Sequence, residues 1–157
     1  METKNYEKVL EAAKVKAANY CAYQERTRQQ VRDKLYAMGL RSDDVEEILT
    51  SLIIDNFINE ERFARVFASG RFRLKKWGKL KIEFFLERLK LSEYCVKKGL
   101  EEIGEREYAE TLKRLIEKKL EEGKGENLYR LNRKVADYLI NKGYEPELVW
   151  EILKAKM

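Results

Sequence analysis

Aliphatic residues recur along the chain in pairs four apart, and the pairs come in three matching sets. Val31 and Leu35 are followed by Val45 and Leu49, Ile82 and Leu86 by Val96 and Leu100, and Val135 and Leu139 by Val149 and Leu153. A spacing of four puts two side chains on one face of a helix, so each set predicts two helices pressing into a shared core. The second copy lies 51 residues after the first and the third 53 after the second. The clearest match runs from Met38-Gly39-Leu40 through Ile48-Leu49 and returns as Lys142-Gly143-Tyr144 through Ile152-Leu153. The segments between copies are long enough for one more helix each. The pattern predicts helices at 4–24, 27–38, 43–55, 60–75, 78–90, 93–103, 105–122, 127–142 and 146–156. That is an all-α chain of three tandem three-helix repeats, bounded as 1–56, 57–103 and 104–157, in an elongated and possibly curved array.

Residues at the predicted boundaries suit helix ends. Thr27, Ser42, Asn59 and Ser92 have side chains that accept orphan amide protons at a helix start, and Pro146 fits a first turn. Gly39 and Gly143 suit the left-handed residue that ends a helix. The acidic pairs Asp43-Asp44 and Glu60-Glu61 fall where the helix dipole favours negative charge.

Composition removes several alternatives. Eight Gly and one Pro in 157 residues leave few tight turns for a multi-stranded sheet. The longest aliphatic run, Leu52-Ile53-Ile54, is far short of a membrane span, and the first residues lack the apolar stretch of a secretion signal. These features predict a cytoplasmic protein with no membrane association. There is no histidine and there are only two cysteines, Cys21 and Cys95, both in apolar-periodic segments and expected to be reduced core residues. No nucleophile–base set or phosphate-cradling loop can be assembled. We therefore expect no catalytic residues, no metal site, no cofactor and no enzymatic activity. Without a heptad seam, the expected state is a monomer.

Charge changes the picture most. Residues 1–50 carry nine basic and nine acidic side chains, residues 51–70 two and three, and residues 91–157 fourteen and fourteen. Residues 71–90 hold Arg71, Arg73, Lys75, Lys76, Lys79, Lys81, Arg88 and Lys90 against Glu83 and Glu87 alone, a net of +6. The surplus of the whole chain therefore sits in the middle repeat, across the Trp77-Gly78 connection. Such a patch attracts phosphate backbones or an acidic protein surface. Phe63, Phe67, Phe84 and Phe85 are expected in the core. Trp77 suits either simple packing or stacking on a base or a partner.

The run Asn59-Glu60-Glu61-Arg62-Phe63-Ala64, followed by the basic stretch and Trp77-Gly78, resembles the signature of the RecX family of recombination regulators. Glu25-Arg26-Thr27 with Val31, Leu35 and Gly39 resembles the opening of that family's first repeat, with Thr in place of Ser. Lys79-Leu80-Lys81-Ile82 departs from the family by extending the basic patch, and the third repeat matches mainly through its hydrophobic frame. The resemblance covers roughly residues 10–155. It implies a protein that lodges in the groove of the RecA recombinase filament, also binds single- or double-stranded DNA, and restrains filament growth, ATP hydrolysis and strand exchange in recombination, repair and the SOS response. Arg71, Arg73, Lys75, Lys76, Lys79 and Lys81 are the expected contacts, with Trp77 as a stacking anchor. Arg65 is a weaker candidate, as is Arg62, whose alternative is a carboxylate partner at the rim of the core. Two other readings of the basic patch stay open. One is a free-standing DNA-binding protein using a recognition helix near 93–103, and the other is a helical scaffold for a different acidic partner.

Overall fold

A computed structural model describes residues 2–156 and, among them, nine α-helices and no strand. In order they are α1 (Glu2–Tyr23), α2 (Arg28–Ala37), α3 (Ser42–Ile54), α4 (Glu60–Lys75), α5 (Lys79–Arg88), α6 (Glu93–Glu101), α7 (Glu105–Glu122), α8 (Leu128–Asn141) and α9 (Pro146–Ala155). The chain is all-α and built of tandem three-helix units, as the periodicity predicts. It divides into two compact units, one ending at Phe63 and the other beginning at Ala64.

In the first unit α1 offers Ala13, Ala17 and Cys21 at helical spacing. These small buried residues let it pack closely on the stripe formed by Val31, Leu35, Val45, Ile48, Leu49 and Leu52. Burial raises the pKa of the Cys21 thiol, the behaviour of an inert core cysteine. Cys95 is also a free thiol but only half-buried. Thr27 forms a full capping box with Gln30, each side chain bonding the other's backbone amide. The residues behind the family resemblance meet here: Arg62 donates to the Glu25 carboxylate and to the carbonyls of Asn56 and Phe57, and Glu60 accepts the Arg28 amide. Arg62 thus takes the carboxylate partner that the sequence offered as its alternative.

The second unit holds α5 to α9 and all of α4 beyond Phe63. Eleven of the twelve repeat-frame aliphatics are buried across the two units. Leu100 alone is half-buried, because α6 turns its Gly99 to α4: a Cβ there would sit 2.8 Å from the Ala64 carbonyl oxygen. Asn59 and Ser92 cap α4 and α6 as expected, by accepting from the amides of Arg62 and Cys95. Ser42 does not cap. It is the first residue of α3, Arg41 occupies the cap position, and the serine hydroxyl bonds Tyr36 instead. Gly39 and Gly143 end their helices at φ +84° and +107°, and Lys90 takes the same step at φ +63° in the middle repeat. The residue after each, Leu40, Leu91 and Tyr144, is buried.

Phe63 is buried, but Phe84 and Phe85 are exposed, contrary to expectation. With Ile82 and Leu86 turned inward, Phe84 lies about 200° around the ten-residue α5 from Ile82 and must face outward. Phe67 is half-buried.

The start of α5 is held by the third repeat. Gly78 has no side chain to cap its helix, and the orphan amides are satisfied from elsewhere. The Gly78 amide donates to the Lys142 carbonyl at 2.9 Å and the Leu80 amide to the Gly143 carbonyl at 2.9 Å, while the Lys79 amide donates to the Tyr108 hydroxyl at 3.0 Å. Tyr108 in turn donates to Glu145, and the Tyr144 hydroxyl donates to the Lys76 carbonyl at 2.9 Å. The backbones touch: a Cβ on Gly78 would lie 2.1 Å from the carbonyl carbon of Gly143, and one on Gly143 would lie 2.4 Å from the Cβ of Lys81. Tyr108 and Tyr144 stack with centroids 5.2 Å apart beneath this crossing.

Two outcomes follow from the junction. Gly78→Ala should cost about 3 kcal/mol or more in denaturant unfolding, since backbone has to move. Gly70→Ala, mid-helix with open space at its Cβ, should instead be neutral or stabilise by up to about 1 kcal/mol. Burial first, and then the bond to Glu145 or its charge, raise the Tyr108 and Tyr144 hydroxyls well above their ordinary value of 10.0. A raised folded-state pKa means the contribution to stability is complete below about pH 10 and is lost as pH rises further. Alkaline titration followed by tyrosinate absorbance and circular dichroism should show these two phenols ionising only as the helices unfold.

Candidate nucleic-acid interface

The basic run divides between two faces. Arg71 and Lys75, one turn apart on α4, share the face that carries Phe67. The Arg71 guanidinium carbon stands 4.5 Å from the Phe67 ring centre and 5.5 Å from that of Trp77, the Lys75 ammonium 5.9 Å from Trp77, and the Lys81 ammonium 4.4 Å from Trp77. Trp77 is half-buried, with Phe67 edge-on at 6.4 Å and Phe85 at 5.0 Å. Phe84 stands against Phe85 at 5.6 Å and carries the Arg88 guanidinium at 5.6 Å. The result is a row of aromatic rings overlaid by cations, with Phe84 52% and Phe85 38% exposed. Each cation–ring contact at such a surface is worth about 0.5–1 kcal/mol. The Arg71 Nε is buried and has no hydrogen-bond partner among the described residues, so the ring faces are its immediate surroundings.

Arg73 lies two residues, about 200°, from Arg71 and turns toward α7, pairing with Glu107 at 3.5 Å and bonding the Ser69 hydroxyl at 2.6 Å. Lys79 also faces α7, its ammonium 4.7 Å from the Tyr108 ring. Lys76, at φ +59°, folds back so that its ammonium donates to the Arg73 carbonyl. Arg65 pairs with Glu102 at 3.1 Å. The structure therefore brings Arg71, Lys75, Trp77 and Lys81 together and sets Arg65, Arg73 and Lys79 among acidic or phenolic partners. Phe84, Phe85 and Arg88 also belong to the ring-and-cation surface, beyond the residues expected from the sequence. The signal was present in the phase of α5 relative to Ile82 and Leu86.

Rings beside ammonium and guanidinium groups can hold an anion and a planar group together, the combination that a nucleotide presents. The helix proposed for duplex reading, α6, carries Glu93 and Glu101 against Lys97 and Lys98 and has no arginine. Among the described residues there is no helix long and apolar enough to cross a membrane and no cluster of side chains able to hold a metal ion.

Three family models match the chain. They are described as the first, second and third three-helix domains of RecX, and they match residues 13–52, 59–100 and 105–153. The regulatory protein RecX of Bacillus cytotoxicus is 24% identical over 144 residues, taking in 92% of this chain and 53% of that protein. That of Clostridium perfringens strain 13 is 30% identical over 122 residues, 76% of this chain and 57% of the relative. The chain thus spans about half the length of the curated relatives it matches. The crystal structure of RecX from Lactobacillus salivarius aligns with a TM-score of 0.86 at 22% identity, covering 95% of this chain and 97% of that one, a likeness of fold. With all three of its three-helix units matched by successive models of one family, the chain belongs to the RecX family of regulatory proteins.

Proposed function

We propose that this protein is a negative modulator of the RecA recombinase. It binds the RecA filament and its DNA through the middle repeat, and so slows filament growth, ATP hydrolysis and strand exchange. The observation that supports this reading most is the ring-and-cation surface around Trp77, which lies in the segment matched by the second RecX domain, the same segment that carries the chain's positive surplus. Arg71, Lys75, Trp77 and Lys81 are the central contacts, with Phe84 and Phe85 extending the stacking surface. Arg73, Lys76, Lys79 and Arg65 are peripheral contacts that exchange an internal partner for one on the filament or DNA. In this reading the repeats are bounded as 1–56, 57–103 and 104–157, and the protein acts as a cytoplasmic monomer without enzymatic activity of its own.

Added to RecA on single-stranded DNA at near-stoichiometric ratios, the protein should reduce ATP hydrolysis and strand exchange. Unchanged rates would contradict the reading. Lys75→Glu with Lys81→Glu should weaken the effect several-fold. In direct DNA-binding titrations the same variant should lower the slope of log affinity against log salt concentration by about one for each cation that met a phosphate. An unaltered slope would remove these lysines from the contact.

A further inference from the structure

On its other side α5 borders a cleft of about 650 Å³ shared with α6 and the turn into α7. Its character is opposite to that of the basic patch. Val96 and Leu100 contribute to an apolar floor, and the rim carries five glutamates against Lys79 and Lys97. In a chain of net charge +5 this is a local surplus of acid. Both acidic residues of the 71–90 stretch, Glu83 and Glu87, open onto it.

Three separate observations give the cleft the form of a receptor for a cationic, apolar segment. Glu83 and Glu87 lie one turn apart, where like charges repel. Neither has a cationic partner among the described residues, and burial and the neighbouring Glu87 and Glu145 hold the Glu83 carboxyl above the usual carboxylate range. Leu100 is the one repeat-frame aliphatic of twelve that is left half-exposed, and it lies on the cleft floor. Phosphate is repelled by such a rim, which separates this surface from any nucleic-acid contact. A helix carrying two apolar residues one turn apart, with Lys or Arg beside them, would cover Leu100 and Val96 and neutralise the rim in one contact.

We propose that this cleft is a docking site for a basic amphipathic helix of a protein partner, distinct from the ring-and-cation surface. The probe is a synthetic amphipathic helix of leucine and lysine, with a leucine–glutamate helix of the same pattern as control, added to the full chain. Binding is read by anisotropy and by the methyl resonances of Val96 and Leu100. The lysine peptide should bind and shift these methyls, the glutamate peptide should not, and Glu83→Gln with Glu87→Gln should weaken binding about tenfold. Gln keeps the helix and removes a repulsive pair, so this variant should fold, which circular dichroism will verify. Glu121→Gln with Glu122→Gln, an equal change of charge outside the cleft, should leave binding intact. Equal affinity for both peptides, shifts confined to other residues, or no weakening in Glu83→Gln with Glu87→Gln would overturn the proposal. So would concentration-dependent self-association that this variant abolishes, because the occupant would then be a second copy of the chain.

Discussion

The crossing of Gly78 over Gly143 is the contact on which the second unit depends. Two backbones meet with no room for a Cβ on either, and the carbonyls at the end of α8 take the place of a capping side chain at the start of α5. The negative end of one helix dipole thus meets the positive end of another. Tyr108 and Tyr144 hold the crossing from below through hydroxyls that bond the backbone at Lys79 and Lys76. Because these partners are main-chain atoms, the position of the α4–α5 connection is set by geometry rather than by the averaging of mobile side chains.

This constraint shapes the candidate interface. Trp77 immediately precedes Gly78 and Lys81 lies against Gly143, so the residues with the closest ring and cation contacts are those nearest the fixed crossing. From there the phase of each helix distributes the charge. Arg71 and Lys75 join the aromatic face, and Arg73 and Lys79 turn to Glu107 and Tyr108. A run that is uniform in sequence is therefore two-sided in space, and the glutamates of α5 contribute to a third, acidic surface.

The fold was legible because its signals are local. Aliphatic pairs four apart, the Thr27, Asn59 and Ser92 caps and the glycines after α2 and α8 each act within a few residues, and each is where its spacing predicts. Ser42 misled because Arg41 already supplies the extended cap residue, leaving the hydroxyl to Tyr36. Phe84 and Phe85 misled because their hydrophobicity suggested burial, whereas the ten-residue α5 has a single core stripe, already filled by Ile82 and Leu86. The segment holding the positive surplus was legible by counting. Its division into faces was not, because it depends on α7 and on the third repeat meeting Gly78 across 65 residues of sequence. Lys90, in a conformation that glycine takes in the other two repeats, likewise shows no local sign of it.

The most direct measurement is native-state hydrogen exchange of the Gly78, Lys79 and Leu80 amides. If the third repeat holds the α4–α5 connection, these amides exchange only through opening of the whole second unit, with protection approaching that of the Leu86 amide in the middle of the frame. Exchange as rapid as that of an exposed loop, while Leu86 stays protected, would contradict the crossing as the constraint that positions the ring-and-cation surface.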